Sequence, residues 1–371
     1  MSELADRVEA ILAGDDAERD RRYPGLPPGR QPVHTVYVPA DRFTATTVRD
    51  WGAAAERALD AHGPLDGFDE APVRAKLARE PIEDLRIDFE DGYGIRPDVD
   101  EDAHARAAAA ALAAAPPAFS GIRIKSLEAP TRRRALRTLE LFLETPPPQG
   151  FRLTLPKVTS IAQIEAIKAI AEHHDVRYEI QIETPQAVLA MTDLVRAAGS
   201  RCLGLHFGTY DYTAGLGISA ANQSLDHPAA DHAKAVMQVA AAQTGLIISD
   251  GSTNVLPVGD TGAVRAAWTL HAGLVRRALE RGIYQGWDLH PAQLPTRFAA
   301  TYAFFRDGVP AATARLRAYL DRAEDRASTG IADEPATARA LSGFLLRALD
   351  CGAVAGIDGF TAAELRAVSD P

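Results

Sequence analysis

The chain has 371 residues, of which 46% are hydrophobic and 24% charged, a balance that excludes wholesale disorder. Its formal net charge of −10 argues against sequence-independent nucleic-acid binding, which needs a basic face. Its two cysteines, Cys202 and Cys351, exclude a disulfide scaffold or cysteine-rich zinc site, and no apolar run approaches the ~18 residues of a membrane span. The charged N-terminal stretch lacks the apolar core of a secretory signal. The expectation is a cytoplasmic protein with no membrane or nucleic-acid partner.

In chain order, residues 1–30 read as a helical arm and a Pro/Gly-rich connector. Leu4, Val8, Ile11 and Leu12 fall at helical spacing, so the arm is expected to pack on a larger body. From residue 34 the pattern alternates. Short apolar or β-branched runs at 34–39, 85–89, 121–125, 152–158, 178–182, 202–207, 245–249 and 282–287 predict strands. Helix formers at 47–62, 102–115, 130–144, 160–173, 185–198, 229–243 and 261–281 fill the gaps. The Ala-rich run 107–115 reads as a strong helix stopped by Pro116-Pro117. Eight βα units over about 250 residues predict an α/β fold, a (β/α)₈ TIM barrel spanning 31–305. The other candidate, an open doubly wound sheet, lacks both the G-x-G-x-x-G and the G-x-x-x-x-G-K-[ST] loops. Helical patterns at 296–328, 335–349 and 361–368 make 306–371 a C-terminal helical extension, a lid or an oligomer interface.

Chemistry in such a barrel sits at the C-terminal ends of the strands. Those ends bring Asp88-Phe-Glu-Asp-Gly, Arg123 and Lys125, Leu155-Pro-Lys-Val, Ile182-Glu-Thr-Pro, Phe207-Gly-Thr-Tyr-Asp and His290-Pro-Ala-Gln. Carboxylates projecting into one mouth repel each other unless cations or protons offset them. Mg²⁺ is often held by one or two carboxylates, with waters and substrate completing the shell, so Glu183 and Asp211 are the candidate metal pair. Arg123 is placed to grip a substrate carboxylate through parallel hydrogen bonds. Glu90 and Asp91 are candidates to order metal-bound water or move protons. Lys125, Lys157, Gly208 and Thr209 complete the candidate substrate contacts. Plainer readings stand beside these. Glu183-Thr184-Pro185 also reads as a helix start, Glu90-Asp91 as a solvated turn, Lys157 as a salt bridge and His290-Pro291 as a capped turn. His227 and His232 read as a polar loop and helix start, and Cys202 as a buried side chain.

These six motifs, in this order over residues 34–305, resemble the HpcH/HpaI aldolase and citrate lyase β-subunit superfamily. The resemblance implies a TIM barrel using Mg²⁺, with Mn²⁺ as a substitute, held by Glu183 and Asp211. It implies that Arg123 binds the oxo-acid end and that Glu90 and Asp91 organise metal-bound water. The implied chemistry is carbon–carbon cleavage or condensation of a 2-oxo acid or acyl-CoA-derived hydroxy acid through a metal-stabilised enolate, in a trimer or hexamer. A malate-synthase-like condensation or a thioesterase acting on malyl-CoA-like thioesters uses the same apparatus. A barrel that has lost catalysis and binds a metabolite or a partner is the non-enzyme alternative. Malyl-CoA lyase-type relatives take a catalytic aspartate from a C-terminal lid; Asp333 and Asp358 match it by location alone.

Overall fold

A computed structural model of the protein describes residues 3–25, 29–324 and 334–369. The first half runs α1 (Glu3–Arg22), β1 (His34–Pro39), α2 (Thr47–His62), α3 (Glu70–Arg79), β2 (Asp84–Asp88), α4 (Asp98–Ala114), β3 (Phe119–Arg123), α5 (Arg132–Leu143), β4 (Arg152–Leu155), α6 (Ile161–His173) and β5 (Arg177–Ile182). The second half runs α7 (Pro185–Leu189), α8 (Met191–Ala198), β6 (Cys202–Phe207), α9 (Thr209–Gly215), α10 (Pro228–Ala241), β7 (Ile247–Ser249), α11 (Thr261–Glu280) and β8 (Gly286–Asp288). Three helices follow: α12 (Leu294–Glu324), α13 (Pro335–Asp350) and α14 (Ala362–Ser369).

The strands form one parallel sheet in the order β7-β6-β5-β4-β3-β2-β1-β8. A parallel bridge between Ser249 and Gln285 and a 2.8 Å bond from the Asp250 amide to the Gln285 carbonyl bring its edges together. This is the expected (β/α)₈ barrel. Alternation along β2 shows how the sequence builds it. Leu85 and Ile87 face the helices and are fully buried, each contributing about 1.5–3 kcal/mol by leaving water. Asp84, Arg86 and Asp88 face the lumen. Arg86 reaches across it to Thr154 on β4 at 3.0 Å and Glu179 on β5 at 2.5 Å. Glu179 also takes Arg152 at 3.0 Å and lies 3.2 Å from His206. The lower barrel is thus filled by paired charges, and only its upper end is free for chemistry.

Two helices were not anticipated. α3 starts where Asp69 accepts the Ala71 amide at 3.1 Å and buries Val73, Lys76 and Leu77 at helical spacing. α9 directly follows β6. The arm differs from expectation as well: α1 buries none of its residues, and Leu4 and Ile11 are 70% and 68% exposed. Its apolar residues line only its first three turns, and the rest is dominated by Asp15, Asp16, Glu18, Arg19, Asp20, Arg21 and Arg22. The connector meets the barrel instead, the Gly25 amide donating to the Gln243 carbonyl at 3.0 Å.

α12 runs through position 306 without a break. Its first half packs Leu294, Phe298, Tyr302 and Phe305 into the main core, and its second half joins α13 and α14 in a smaller core around Leu316, Leu345 and Leu365. Among the described residues no helix is long and apolar enough to cross a membrane.

Candidate active site

Asp88 ends β2 facing the lumen, directly opposite Arg123 in the β2–β3 register. Both of its oxygens are engaged by Arg123 at 2.7 Å. The same carboxylate accepts the amides of Glu90 at 2.9 Å and Gly92 at 2.8 Å, so it also shapes the turn that carries Glu90 and Asp91. A Cβ at position 92 would lie 2.6 Å from the Asp88 Oδ2 atom, which explains the glycine. The Arg123 guanidinium rests 4.9 Å from the Tyr37 ring and 6.0 Å from the Trp287 ring. Its remaining terminal nitrogen lies 3.3 Å from Glu90 and 3.4 Å from Gln181.

Above this floor, Lys157 occupies the centre of the mouth. Its ammonium lies 3.0 Å from Glu90, 2.9 Å from Asp91 and 3.0 Å from Asp211. Glu90 and Asp91 come from the loop after β2, Asp211 from the first turn of α9, and the lysine from the loop after β4. Lys157 has φ +52°, the left-handed region that side chains with a Cβ rarely adopt. In that conformation its amide donates to the Glu183 Oε1 atom at 2.7 Å. Gln181 donates to the other Glu183 oxygen at 2.6 Å. A Cβ on Gly208 would lie 2.5 Å from the Glu183 Cβ and 2.6 Å from its Oε2 atom, so the backbone of the β6 loop closes over this carboxylate.

The Glu183-Thr184-Pro185 segment satisfies its plainer reading too. Thr184 caps α7 by accepting the Ala187 amide at 3.1 Å, with Pro185 in the first turn. The cap is made by Thr184, which leaves Glu183 to face the mouth.

The charges in the mouth do not balance. Glu90, Asp91, Glu183 and Asp211 surround Lys157, while Arg123 is already committed to Asp88. Burial pushes Glu183 up to about 8 against the pull of Lys157 and Arg123, with Asp211 and Glu90 adding to the rise. Burial likewise raises Glu90 to about 7, opposed by Arg123 and reinforced by Asp91. Burial would raise Asp91 as well, but Lys157 outweighs it and holds this carboxyl below its usual range. Lys157 loses solvation, yet the surrounding carboxylates raise its pKa.

This donor set fits a hard divalent cation. Among the described residues no three acidic, imidazole or thiol groups form a ready-made metal cage. Glu183 and Asp211 instead offer carboxylate oxygens to an under-neutralised mouth, and Mg²⁺ typically keeps several waters when bound in this way.

The remaining candidates separate. Lys125 is not in the cluster: its ammonium turns away to the Phe89 carbonyl and to Glu101 on α4, both at 2.7 Å. Thr209 is buried with its hydroxyl on the Ser252 carbonyl at 3.3 Å. His290 caps the turn that follows, accepting the Ala292 amide at 3.2 Å. His227 caps α10 through the Ala229 amide at 3.1 Å. Asp358 is exposed and its carbonyl accepts Arg317 at 2.8 Å; Asp333 lies outside the described residues. Sequence reasoning placed Asp88 in the strand-two motif without giving it a role, and did not single out Tyr37. The signal for Asp88 was its place two residues before Glu90, in phase with lumen-facing Asp84 and Arg86. Tyr37 carried none beyond its place on β1.

The barrel is similar to a citrate lyase from Burkholderia xenovorans LB400, at 21% identity over 88% of this chain and 94% of that one, with a TM-score of 0.62. It is similar to CitE from Mycobacterium tuberculosis in complex with magnesium, acetoacetate and coenzyme A, at 20% identity over 87% and 98% of the chains, with a TM-score of 0.54. RipC from Yersinia pestis is similar at 20% identity over 73% and 95%, with a TM-score of 0.50. These likenesses establish a shared fold, the one expected from the motif resemblance. No curated protein matches the sequence. A family profile described as "Domain of unknown function (DUF6986)" matches residues 12–371.

Proposed function

For a chain that belongs to the DUF6986 family, we propose a divalent-cation-dependent carbon–carbon lyase acting on a 2-oxo acid or an acyl-CoA-derived hydroxy acid. The observation that carries this reading is the convergence of Glu90, Asp91 and Asp211 on the Lys157 ammonium, with Glu183 held by the amide of the same lysine, above the Asp88–Arg123 pair. Glu183 and Asp211 would hold the cation. When bound, it supplies Lewis-acid polarisation of a substrate carbonyl.

The chain's own residues supply the rest. Asp88 holds Arg123 from one side, and the other terminal nitrogen would exchange its longer contacts with Glu90 and Gln181 for a substrate carboxylate. Glu90, raised to about 7 by burial, is suited to general-base work near neutral pH. In the cleavage direction it takes the proton of the substrate hydroxyl. The electron pair of the breaking C–C bond passes to the departing fragment, which is then protonated at carbon. The magnesium, acetoacetate and coenzyme A bound by the M. tuberculosis protein give the ligand classes to try first.

The test is calorimetric titration with Mn²⁺ and then oxalate, followed by cleavage assays on hydroxy acids and their CoA thioesters. The expected result is oxalate binding that requires the metal, and cleavage that requires the metal and is inhibited by oxalate. No metal binding at millimolar Mn²⁺ or Mg²⁺ would overturn the proposal.

A further inference from the structure

Lys157 makes more of this site than a salt bridge needs. One residue supplies the ammonium that joins Glu90, Asp91 and Asp211, and the amide that fixes Glu183. The two functions depend on one strained backbone position at φ +52°. Gly208 closes over Glu183 from the far side, so that carboxylate has little room to turn. Asp211 differs: its side chain is 46% exposed, and it pairs with the ammonium at 3.0 Å. Lys157 itself is 27% exposed, so its terminal group has a path outward.

We propose that Lys157 is the resident counter-cation of this centre, and that a divalent cation binds by displacing its ammonium from Asp211. In the metal-free chain the lysine keeps the mutually repelling carboxylates in a metal-ready array. On metal binding the ammonium gives up Asp211 and stays tethered to Glu90 and Asp91 at the rim, where it faces incoming substrate. Lys157 is therefore a positioning residue that competes with the metal. This inference rests on the reading of Glu183 and Asp211 as cation ligands.

The competition can be read without any substrate. Mn²⁺ affinity is measured by calorimetry for the wild type, for Lys157→Gln and for Arg96→Gln. Arg96 carries a rim charge that pairs with Asp41 at 2.7 Å and none of the proposed ligands, so it controls for simple loss of positive charge. Displacement predicts that Lys157→Gln binds Mn²⁺ about tenfold more tightly and Arg96→Gln changes affinity by less than about threefold. A role confined to holding the structure together would instead weaken binding in Lys157→Gln. Equal or weaker binding in that variant, or equal tightening in both variants, overturns the proposal.

A second measurement uses the wild type alone and does not depend on the variant folding. Lysine acetylation is followed by mass spectrometry with and without Mg²⁺. Release from Asp211 predicts several-fold faster labelling of Lys157 when the metal is present, and unchanged or slower labelling overturns it. A wild-type chain that binds no divalent cation removes the proposed function together with this inference. A chain that binds Mn²⁺ but shows no competition removes this inference only.

Discussion

Asp88 and Arg123 sit opposite each other on β2 and β3 and close a doubly bonded ion pair, with both N–O distances at 2.7 Å. The pair is buried, so neither charge has solvent to fall back on. Removing one partner strands the other, which is far more damaging than losing an exposed bridge. Asp88→Ala is expected to destabilise the chain by about 3–5 kcal/mol in urea unfolding. Asp88→Asn keeps the shape but loses the charge. It is expected to fold and to lower turnover about 100-fold through misplacement of Arg123 and the Glu90 turn.

Glu183 and Asp211 make separable predictions. Glu183→Ala and Asp211→Ala should each abolish Mn²⁺ binding and metal-dependent turnover while circular dichroism stays that of the wild type. Glu183→Ala also strands the Lys157 amide and the Gln181 side chain that this carboxyl accepts, so the metal-free chain should lose about 1–3 kcal/mol of stability, whereas exposed Asp211→Ala should lose little. Full activity in both variants would refute the assignment.

Gly208 tests the site without touching a charge. A methyl group there would lie 2.5 Å from the Glu183 Cβ, closer than such atoms approach. Gly208→Ala is expected to cost about 1–3 kcal/mol of stability through overpacking. Turning Glu183 aside should also weaken Mn²⁺ binding about 10–100-fold, and calorimetry on the purified variant reads both effects in one sample.

Acid stability should report on Glu80, away from the mouth. Burial raises this carboxyl, but Arg30 and Lys76 outweigh it and bring it from 4.5 down to about 2. A lowered folded-state pKa means that its contribution is complete above about 4.5 and is lost as pH falls towards about 2. Glu80→Gln should flatten the decline of the melting temperature in that window and leave the slope between pH 6 and 8 unchanged. Equal acid profiles for the two chains would contradict this.

Tyr37 gives the opposite kind of prediction. Its hydroxyl is buried without a hydrogen-bond partner among the described residues, while its ring supports Arg123. Tyr37→Phe keeps the ring and removes the unpaired group, whose desolvation nothing repays. Thermal melts should show the variant as stable as the wild type or slightly more so. A clear loss of stability would mean that the hydroxyl is satisfied by buried water.

Much of the barrel was legible because its signals are local. Each strand alternates faces with period two and each helix repeats near 3.6, so short windows carry both patterns. α2 falls where the pattern puts it, at 47–62. The run at 282–287 shows the limit: Gly282 has φ +80°, and the strand begins only at Gly286. The arm shows a second limit, since spacing at Leu4, Val8, Ile11 and Leu12 marks a helical face and says nothing about what covers it.

The residue types of the site and the strand ends that carry them follow from the sequence by itself, because in a parallel barrel chain order dictates which end of each strand faces the mouth. Lys125 and Lys157 show what it leaves undecided. Both are cations at or just beyond a strand, and nothing local distinguishes them. In three dimensions Lys125 turns outward to Glu101 on α4, while a left-handed backbone turns Lys157 inward among carboxylates 54 to 67 positions away in the chain. That choice belongs to the tertiary structure, because only closure of the barrel brings the loops after β2, β4 and β6 within one Coulombic neighbourhood, where burial and repulsion decide which cation stays.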